Sequence, residues 1–366
     1  MKTITLDNNT LKSVVATANL FTSKDGEFAG QITISGEDSK LEVKASDGVQ
    51  KVIYKNIPFV SSDLTDTDFL PFSIDGKKLT TALKAAKKDD THIEIHSEKI
   101  VVKSGRSKII IDVFANTQEV SISRGNKKLD FLSLINGLEQ VLHSVDVNNP
   151  RPELTGISLD FKDGACSIAG TDTKRLAVVQ TTTTVEDCSY IVPRKAIETI
   201  SKLFKGYKLE AEIVEDVAMT FHSEHLSYST QLINSKFIEW KRIVPKSFTQ
   251  TVTLQKSLLL ELVKEASIFN QEVIINFNSN NITVCDFDNS TEIVEEFETN
   301  ADFKFAVQSK MITDFLSSYS EENVDICFNE DNLPILLKAN NEYFEIVMPI
   351  VLPTIADNNE EVQNVA

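Results

Sequence analysis

Along this chain, alternating apolar and polar residues give way to helix-spaced apolar residues and back again, three times in the same order. Gly30 to Ile53 (GQITISGEDSKLEVKASDGVQKVI), Gly156 to Val179 (GISLDFKDGACSIAGTDTKRLAVV) and Val273 to Glu295 (VIINFNSNNITVCDFDNSTEIVE) share one pattern. Each reads as an alternating strand, a tight polar turn, a second strand, an Asp-containing turn and a third strand. Downstream, SIDGKKLTTALKAA, IVPRKAIETISKLF and AVQSKMITDFLSSY each carry a short strand into an amphipathic helix. Lys78, Lys195 and Lys310 mark equivalent places, 117 and 115 residues apart.

Each repeat also opens on a helix, with apolar stripes at Leu11, Val14, Val15 and Ala18, at Leu134, Leu138 and Val141, and at Leu258, Leu262, Val263 and Ala266. Spacings of three and four residues put such side chains on one face. Each repeat closes on an expected hairpin: IVVKSGRSKIIIDVF, HLSYSTQLINSKFIEW and PILLKANNEYFEIVMPI. A period above 100 residues is a domain triplication, since solenoid repeats are far shorter. The expected modules are 1–125, 126–250 and 251–352, each near the usual size for a self-sufficient core. Residues 353–366 (PTIADNNEEVQNVA) read as a disordered acidic tail.

Composition is that of an ordinary globular protein, with 41% hydrophobic and 25% charged residues. No apolar run reaches the roughly 18 residues of a membrane span, and the N-terminus lacks a signal peptide's apolar core, so a cytoplasmic protein is expected. Net charge is −17, which argues against a tight grip on nucleic acid. Its distribution is uneven. Module 1 holds 17 basic and 17 acidic groups and module 2 holds 15 and 16, but module 3 holds only 5 basic groups against 18 acidic ones. An acidic third module either serves solubility alone or suits a basic edge on the first module of another copy, and that contact made twice would close a six-module ring.

Catalytic chemistry is not visible. The chain lacks phosphate-binding, dinucleotide-binding, nucleophile-elbow and zinc-protease motifs. Cys166, Cys188, Cys285 and Cys327 have no metal spacing and read as free thiols. His92 and His96 share a strand face, as a weak metal pair could, but neither they nor His143, His222 and His225 make a ligand set; no metal and no cofactor is expected. The helices are more informative. With Ile197, Ile200, Leu203 and Phe204 buried, Arg194, Lys195, Lys202 and Lys205 fall on the outer face or ends, as do Lys77, Lys78, Lys84, Lys87 and Lys88 in the first repeat. Helices lining a ring would make its hole locally basic and attract a duplex backbone without reading its sequence.

Several segments in order resemble the bacterial sliding clamp family, the beta subunit of DNA polymerase III, over essentially residues 1–352. These are GTDTKRLAV (170–178), like the family's TDGHRLA, IVPRKAI (191–197), STQLINSKFIEWKRIVP (229–245), SGRSK (104–108) and EIVMPIVL (345–352). The resemblance implies an α+β fold of three tandem DNA-clamp modules, with antiparallel sheets outside and two helices per module facing a central hole. Two subunits would join as a head-to-tail homodimer, encircle double-stranded DNA and slide, with no catalytic role. The implied partners are the DNA polymerase III catalytic subunit, an ATP-driven clamp loader and other proteins carrying a clamp-binding peptide. The rival reading is a non-clamp interaction scaffold of tandem β modules.

Carried over residue by residue, the partner-peptide cleft takes Leu154, Thr171, Lys174, Arg175, Leu176, Ile238, Arg242, Ile243, Leu333, Ile346, Val347, Met348 and Pro349. The implied DNA contacts are Lys24, Asn149, Arg151, Arg194 and Lys195. The implied dimer seam sets Arg106, Lys108, Ile109 and Ile111 against Ile268, Phe269, Glu292, Glu295, Glu296 and Glu298. Departures fall at the cleft, where the family's Gly and His are Thr173 and Lys174, its Pro after Phe237 is Ile238, and its terminal Arg is Val351. The family's aromatic pair after the loop arginine is Pro152 and Glu153.

Overall fold

A computed structural model describes residues 2–61, 69–86, 90–204, 209–330 and 332–352. The first repeat runs β1 (Lys2–Asp7), α1 (Asn8–Ala18), β2 (Gln31–Glu37), β3 (Lys40–Ser46) and β4 (Gln50–Pro58). It continues through β5 (Val60–Ser61), β6 (Phe69–Asp75), α2 (Gly76–Ala85), β7 (Asp90–Ile95), β8 (Lys99–Ser104) and β9 (Ser107–Asp112). The second runs β10 (Lys127–Leu129), α3 (Phe131–Val141), β11 (Gly156–Lys162), β12 (Ala165–Thr171) and β13 (Arg175–Thr182). Then come β14 (Cys188–Pro193), α4 (Arg194–Leu203), β15 (Glu210–Val214), β16 (Ala218–His222) and β17 (Leu226–Gln231). The third repeats that order with β18 (Gln250–Gln255), α5 (Lys256–Ala266), β19 (Glu272–Phe277), β20 (Asn281–Asp286) and β21 (Glu292–Glu296). It ends in β22 (Phe303–Gln308), α6 (Ser309–Ser317), β23 (Asn323–Phe328), β24 (Ile335–Lys338) and β25 (Tyr343–Val347). This is an α+β fold in which one β-α-β-β-β-β-α-β-β-β order occurs three times, with β5 the single extra strand of the first.

The chain condenses into two compact units, one of residues 1–132 and 196–233, the other of residues 133–195 and 234 onward. The first unit holds a five-stranded sheet, β5-β1-β7-β8-β9, and an eight-stranded sheet, β10-β15-β16-β17-β4-β3-β2-β6. The second holds an eight-stranded sheet, β14-β11-β12-β13-β25-β24-β23-β18, and a four-stranded sheet, β21-β20-β19-β22. Each eight-stranded sheet takes four strands from one repeat and four from the next. The antiparallel seam pairs β4 with β17 in one unit and β13 with β25 in the other.

Local chemistry places the helices. Asp7 and Asp75 cap α1 and α2 by accepting from the backbone N–H groups of Thr10 (2.7 Å) and Lys78 (2.9 Å), which satisfies donors a helix start leaves bare. The Thr10 hydrogen bonds hold the Asp7 carboxyl below its usual pKa. In the second unit α3 lies hard against β12: a Cβ on Gly137 would come within 2.6 Å of Ile168 Cδ1. With α3 on the Ile168 face and the Phe237–Trp240 segment packed on the Ala169 face, β12 buries both faces, whereas β19 and β20 alternate.

Four local expectations need correcting. The α5 stripe passes through Leu259, with Leu258 half-buried, and in α4 Leu203 is only half-buried beside buried Ala196, Ile197 and Ile200. HLSYSTQLINSKFIEW is no hairpin: β17 ends at Gln231 and pairs back with β16, and the chain then leaves the sheet so that Phe237, Ile238 and Trp240 pack on another apolar cluster. Lys195 and Lys310 are the second residues of their helices but Lys78 is the third of α2, so its register equivalent is Lys77. Lys87, Lys88, Lys205 and the tail at 353–366 lie outside the described residues.

Candidate functional site

The second unit carries an apolar cavity of about 260 Å³ beside the β13–β25 seam. Its floor follows from strand phase. Leu176 pairs with Ile346 across the seam, and both side chains point to the face where Ala169, Val178, Trp240, Cys327 and Leu336 form a cluster. The segment after β17 crosses this face, packing Phe237, Ile238 and Val244 on the cluster, and a 3-10 turn at Trp240–Arg242 sets Ile243 at the cavity wall. The Trp240 ring stands 6.3 Å from Phe344, and Lys241 Nζ lies 5.6 Å from its centroid.

The turn between β12 and β13 builds the opposite wall. Asp172 Oδ1 accepts from the backbone N–H groups of Lys174 and Arg175, both at 3.0 Å, while Thr171 Oγ1 accepts from Thr173 N at 3.1 Å and donates to Arg175 O at 2.6 Å. This winding forces Thr173 to φ +78°, a left-handed conformation that a β-branched residue rarely adopts. Lys174 O then accepts from Met348 N at 2.9 Å, which brings Met348 to the cavity as the chain leaves β25.

Arg175 is buried, and each of its three guanidinium nitrogens donates a hydrogen bond beneath the cavity. Nε donates to Asp172 Oδ2 (3.1 Å), Nη1 to Asp314 Oδ2 (3.0 Å) and Nη2 to His143 O (2.8 Å). Burial opposes its charge, but Glu345, Asp172 and Asp314 together raise its pKa above the ordinary value. Burial likewise works against the Asp314 carboxylate, yet hydrogen bonds from Lys310 and Arg175 hold it below the usual range. Glu345, fully buried on β25, accepts from Ser144 Oγ at 3.1 Å and pairs with His143 Nε2. The charged groups therefore tie the repeats together under the floor, and the apolar groups face the opening.

Of the residues expected in the cleft, the cavity gathers Leu154, Thr171, Lys174, Arg175, Leu176, Ile238, Ile243, Ile346 and Met348. Four others do not line it. Val347 points into the core, Pro349 is half-buried, Leu333 is exposed elsewhere on the unit, and Arg242 turns to solvent with Nε 2.8 Å from Glu239. Sequence reasoning missed Thr173 and Arg151 as lining residues and Trp240 as the backing of the wall. The chain's single Trp, two residues after the apolar pair Phe237–Ile238, was the available signal.

The expected DNA contacts divide between the units. Lys24 is exposed in the loop after α1 in the first. In the second, Asn149 folds onto Asp146 and accepts from Arg151 N at 3.1 Å; Arg194 at the start of α4 donates to Val145 O at 2.6 Å, and Lys195 is exposed. Arg151, expected on DNA, lines the cavity and lies 3.2 Å from Glu153. At the expected seam, Arg106 and Lys108 are exposed and Ile109 half-buried, but Ile111 lies in the core, 2% exposed, and the outward apolar residue of β9 is Ile110. Ile268 and Phe269 are 68% and 77% exposed after α5, and Glu292, Glu295, Glu296 and Glu298 are exposed on and beyond β21.

Among the described residues no group of three His, Cys, Asp or Glu could hold a metal ion, and no helix is long and apolar enough to cross a membrane. Residues 128–239 match the family model for the central domain of the DNA polymerase III beta subunit, and residues 241–353 match that for its C-terminal domain. A beta sliding clamp of Helicobacter pylori is 23% identical, over 95% of this chain and all of its own length. Among solved structures, the Helicobacter pylori beta clamp bound to a DNA ligase peptide superposes with a TM-score of 0.85 at 22% identity, covering 96% of this chain and 100% of its own. A sliding clamp from Pseudomonas aeruginosa bound to griselimycin gives 0.83 at 16% identity, with the same coverage.

Proposed function

The chain belongs to the DNA polymerase III beta subunit family, and from that premise we propose that it works as a sliding clamp. Two copies close head to tail into a ring of six modules, 1–125, 126–250 and 251–352 in each. The ring encircles duplex DNA, holds the polymerase III catalytic subunit on it, and is opened by an ATP-driven loader. It makes and breaks no covalent bonds and works in the cytoplasm, where chromosomal DNA is copied.

The observation that carries this reading is an incomplete sheet at each end of the repeat series. β4 and β13 each pair at a seam with the last strand of the following repeat, β17 and β25. Their counterparts β21 and β9 are left at sheet edges. An edge of unpaired N–H and C=O groups is a template for another strand, and these two are complementary. β9 offers Lys108 and exposed Ile110, with Arg106 in the turn before it; β21 offers Glu292, Glu295, Glu296 and exposed Val294, with Ile268 and Phe269 as further apolar surface. A third seam of the same kind, made between copies, uses both edges and closes the assembly. Linkage to DNA is then topological, so exposed cations such as Lys24 and Lys195 need supply only weak attraction to phosphates, and tight contacts would impede sliding.

The cavity at the β13–β25 seam is the dock for partners. Each apolar anchor it buries contributes roughly 1.5–3 kcal/mol before ordering costs, enough for exchangeable binding by a short linear segment. Titration of a labelled Q-L-x-L-F-type peptide tests it. Met348→Ala and Leu176→Ala are expected to weaken binding by about tenfold each, on the order of 1.4 kcal/mol. Unchanged affinity in both would remove the cavity from the account.

A further inference from the structure

The segments that build the partner cavity carry a charge opposite to that of the chain. Net charge is −17 overall, yet the crossing segment KFIEWKRIVPK holds Lys236, Lys241, Arg242 and Lys246 against Glu239 alone. Lys236 and Arg242, each with an 83% exposed side chain, share that one carboxylate at 3.3 and 2.8 Å, so it cannot neutralise both. The opposite wall adds Arg151 and Lys174. Arg151 is partly satisfied by Glu153, but Lys174 is exposed, and among the described residues its ammonium has no anionic partner. Its backbone is nevertheless fixed on both sides, by Asp172 and by Met348 N. A cation on a fixed backbone at the mouth of an apolar cavity, and left unpaired, is placed to meet an anion that arrives with the ligand.

We propose that this rim reads carboxylates: the partner segments that dock here carry acidic residues beside their apolar anchors, and Lys174 is the specificity-determining residue. The inference rests on the cavity being the partner dock. Such a preference runs against the field of the whole molecule, which repels acidic ligands, so it can arise only from the local rim.

The test uses the full chain and two labelled peptides with the same Q-L-x-L-F anchors, one flanked on both sides by Glu and the other by Gln. In low salt the acidic peptide is expected to bind about fivefold more tightly, the scale of one well-placed exposed ion pair. Lys174→Arg should keep that ratio, and Lys174→Glu should bring it to one or invert it. Raising the salt to about 0.5 M should narrow it, because screening then acts within a few ångströms. Equal affinities for the parent chain, or a ratio that survives Lys174→Glu, would overturn the rim while leaving the dock intact. If neither peptide binds, the dock itself falls, and the rim with it.

Discussion

Thr173 shows how much of the cleft is set by single residues. Its left-handed backbone is held by the hydrogen bonds that Asp172 and Thr171 make around the turn, and the strain is confined to one residue. Thr173→Gly is therefore expected to stabilise the protein by about 1 kcal/mol, a rise of roughly 2–4 °C in Tm. An unchanged or lower Tm in calorimetry would show the turn to be unstrained. Asp314 makes a second test. Its folded pKa lies below the ordinary 3.8, so the unfolded chain takes up a proton first as pH falls. The stabilisation is thus complete well above pH 3.8 and is lost as pH drops through the lower folded value. In urea melts Asp314→Asn should be less stable than the parent at pH 6, and the difference should shrink below pH 3.8; a gap independent of pH would contradict the assignment. Arg175 was legible in the sequence as a cleft residue through the family resemblance. Its role was not, because Asp314 lies 139 residues away and only the fold brings them together.

At the scale of elements, alternation and helical spacing located the strands and helices wherever polar residues marked the phase. Where apolar residues run together the phase is ambiguous. Ile109, Ile110 and Ile111 are consecutive, and only the pairing of β9 with β8 decides that Ile111 points inward and Ile110 outward. Leu258, Leu259 and Leu260 hide the α5 stripe in the same way. After Gln231 the apparent alternation continues through Leu232 and Ile233, but the neighbouring strands β4 and β16 begin opposite Thr230 and Gln231, and beyond them the chain runs to the cluster around Trp240. The corrected strand phase sharpens the seam prediction. Phe269→Lys and Ile110→Lys change side chains that are 77% and 53% exposed, so each should leave the fold intact and yield monomers. A dimer persisting at low micromolar concentration in light scattering for both variants would count against a β9–β21 seam.

At the scale of the molecule, the triplication was legible because one pattern recurs in one order, and charge counted by module already pointed to a basic edge meeting an acidic one. The seams between repeats were not legible. Pairing β4 with β17 and β13 with β25 joins residues more than 160 positions apart, and no local pattern specifies such partners. Once those seams are known, the edges of β9 and β21 acquire a meaning, and the proposed ring is built on them. The most direct test is to load the protein on nicked circular DNA and then cut the circle once. A topologically linked clamp is expected to stay on the closed circle through gel filtration in moderate salt and to be lost from the linear form. Equal retention on both forms, or loss from both, would contradict encirclement.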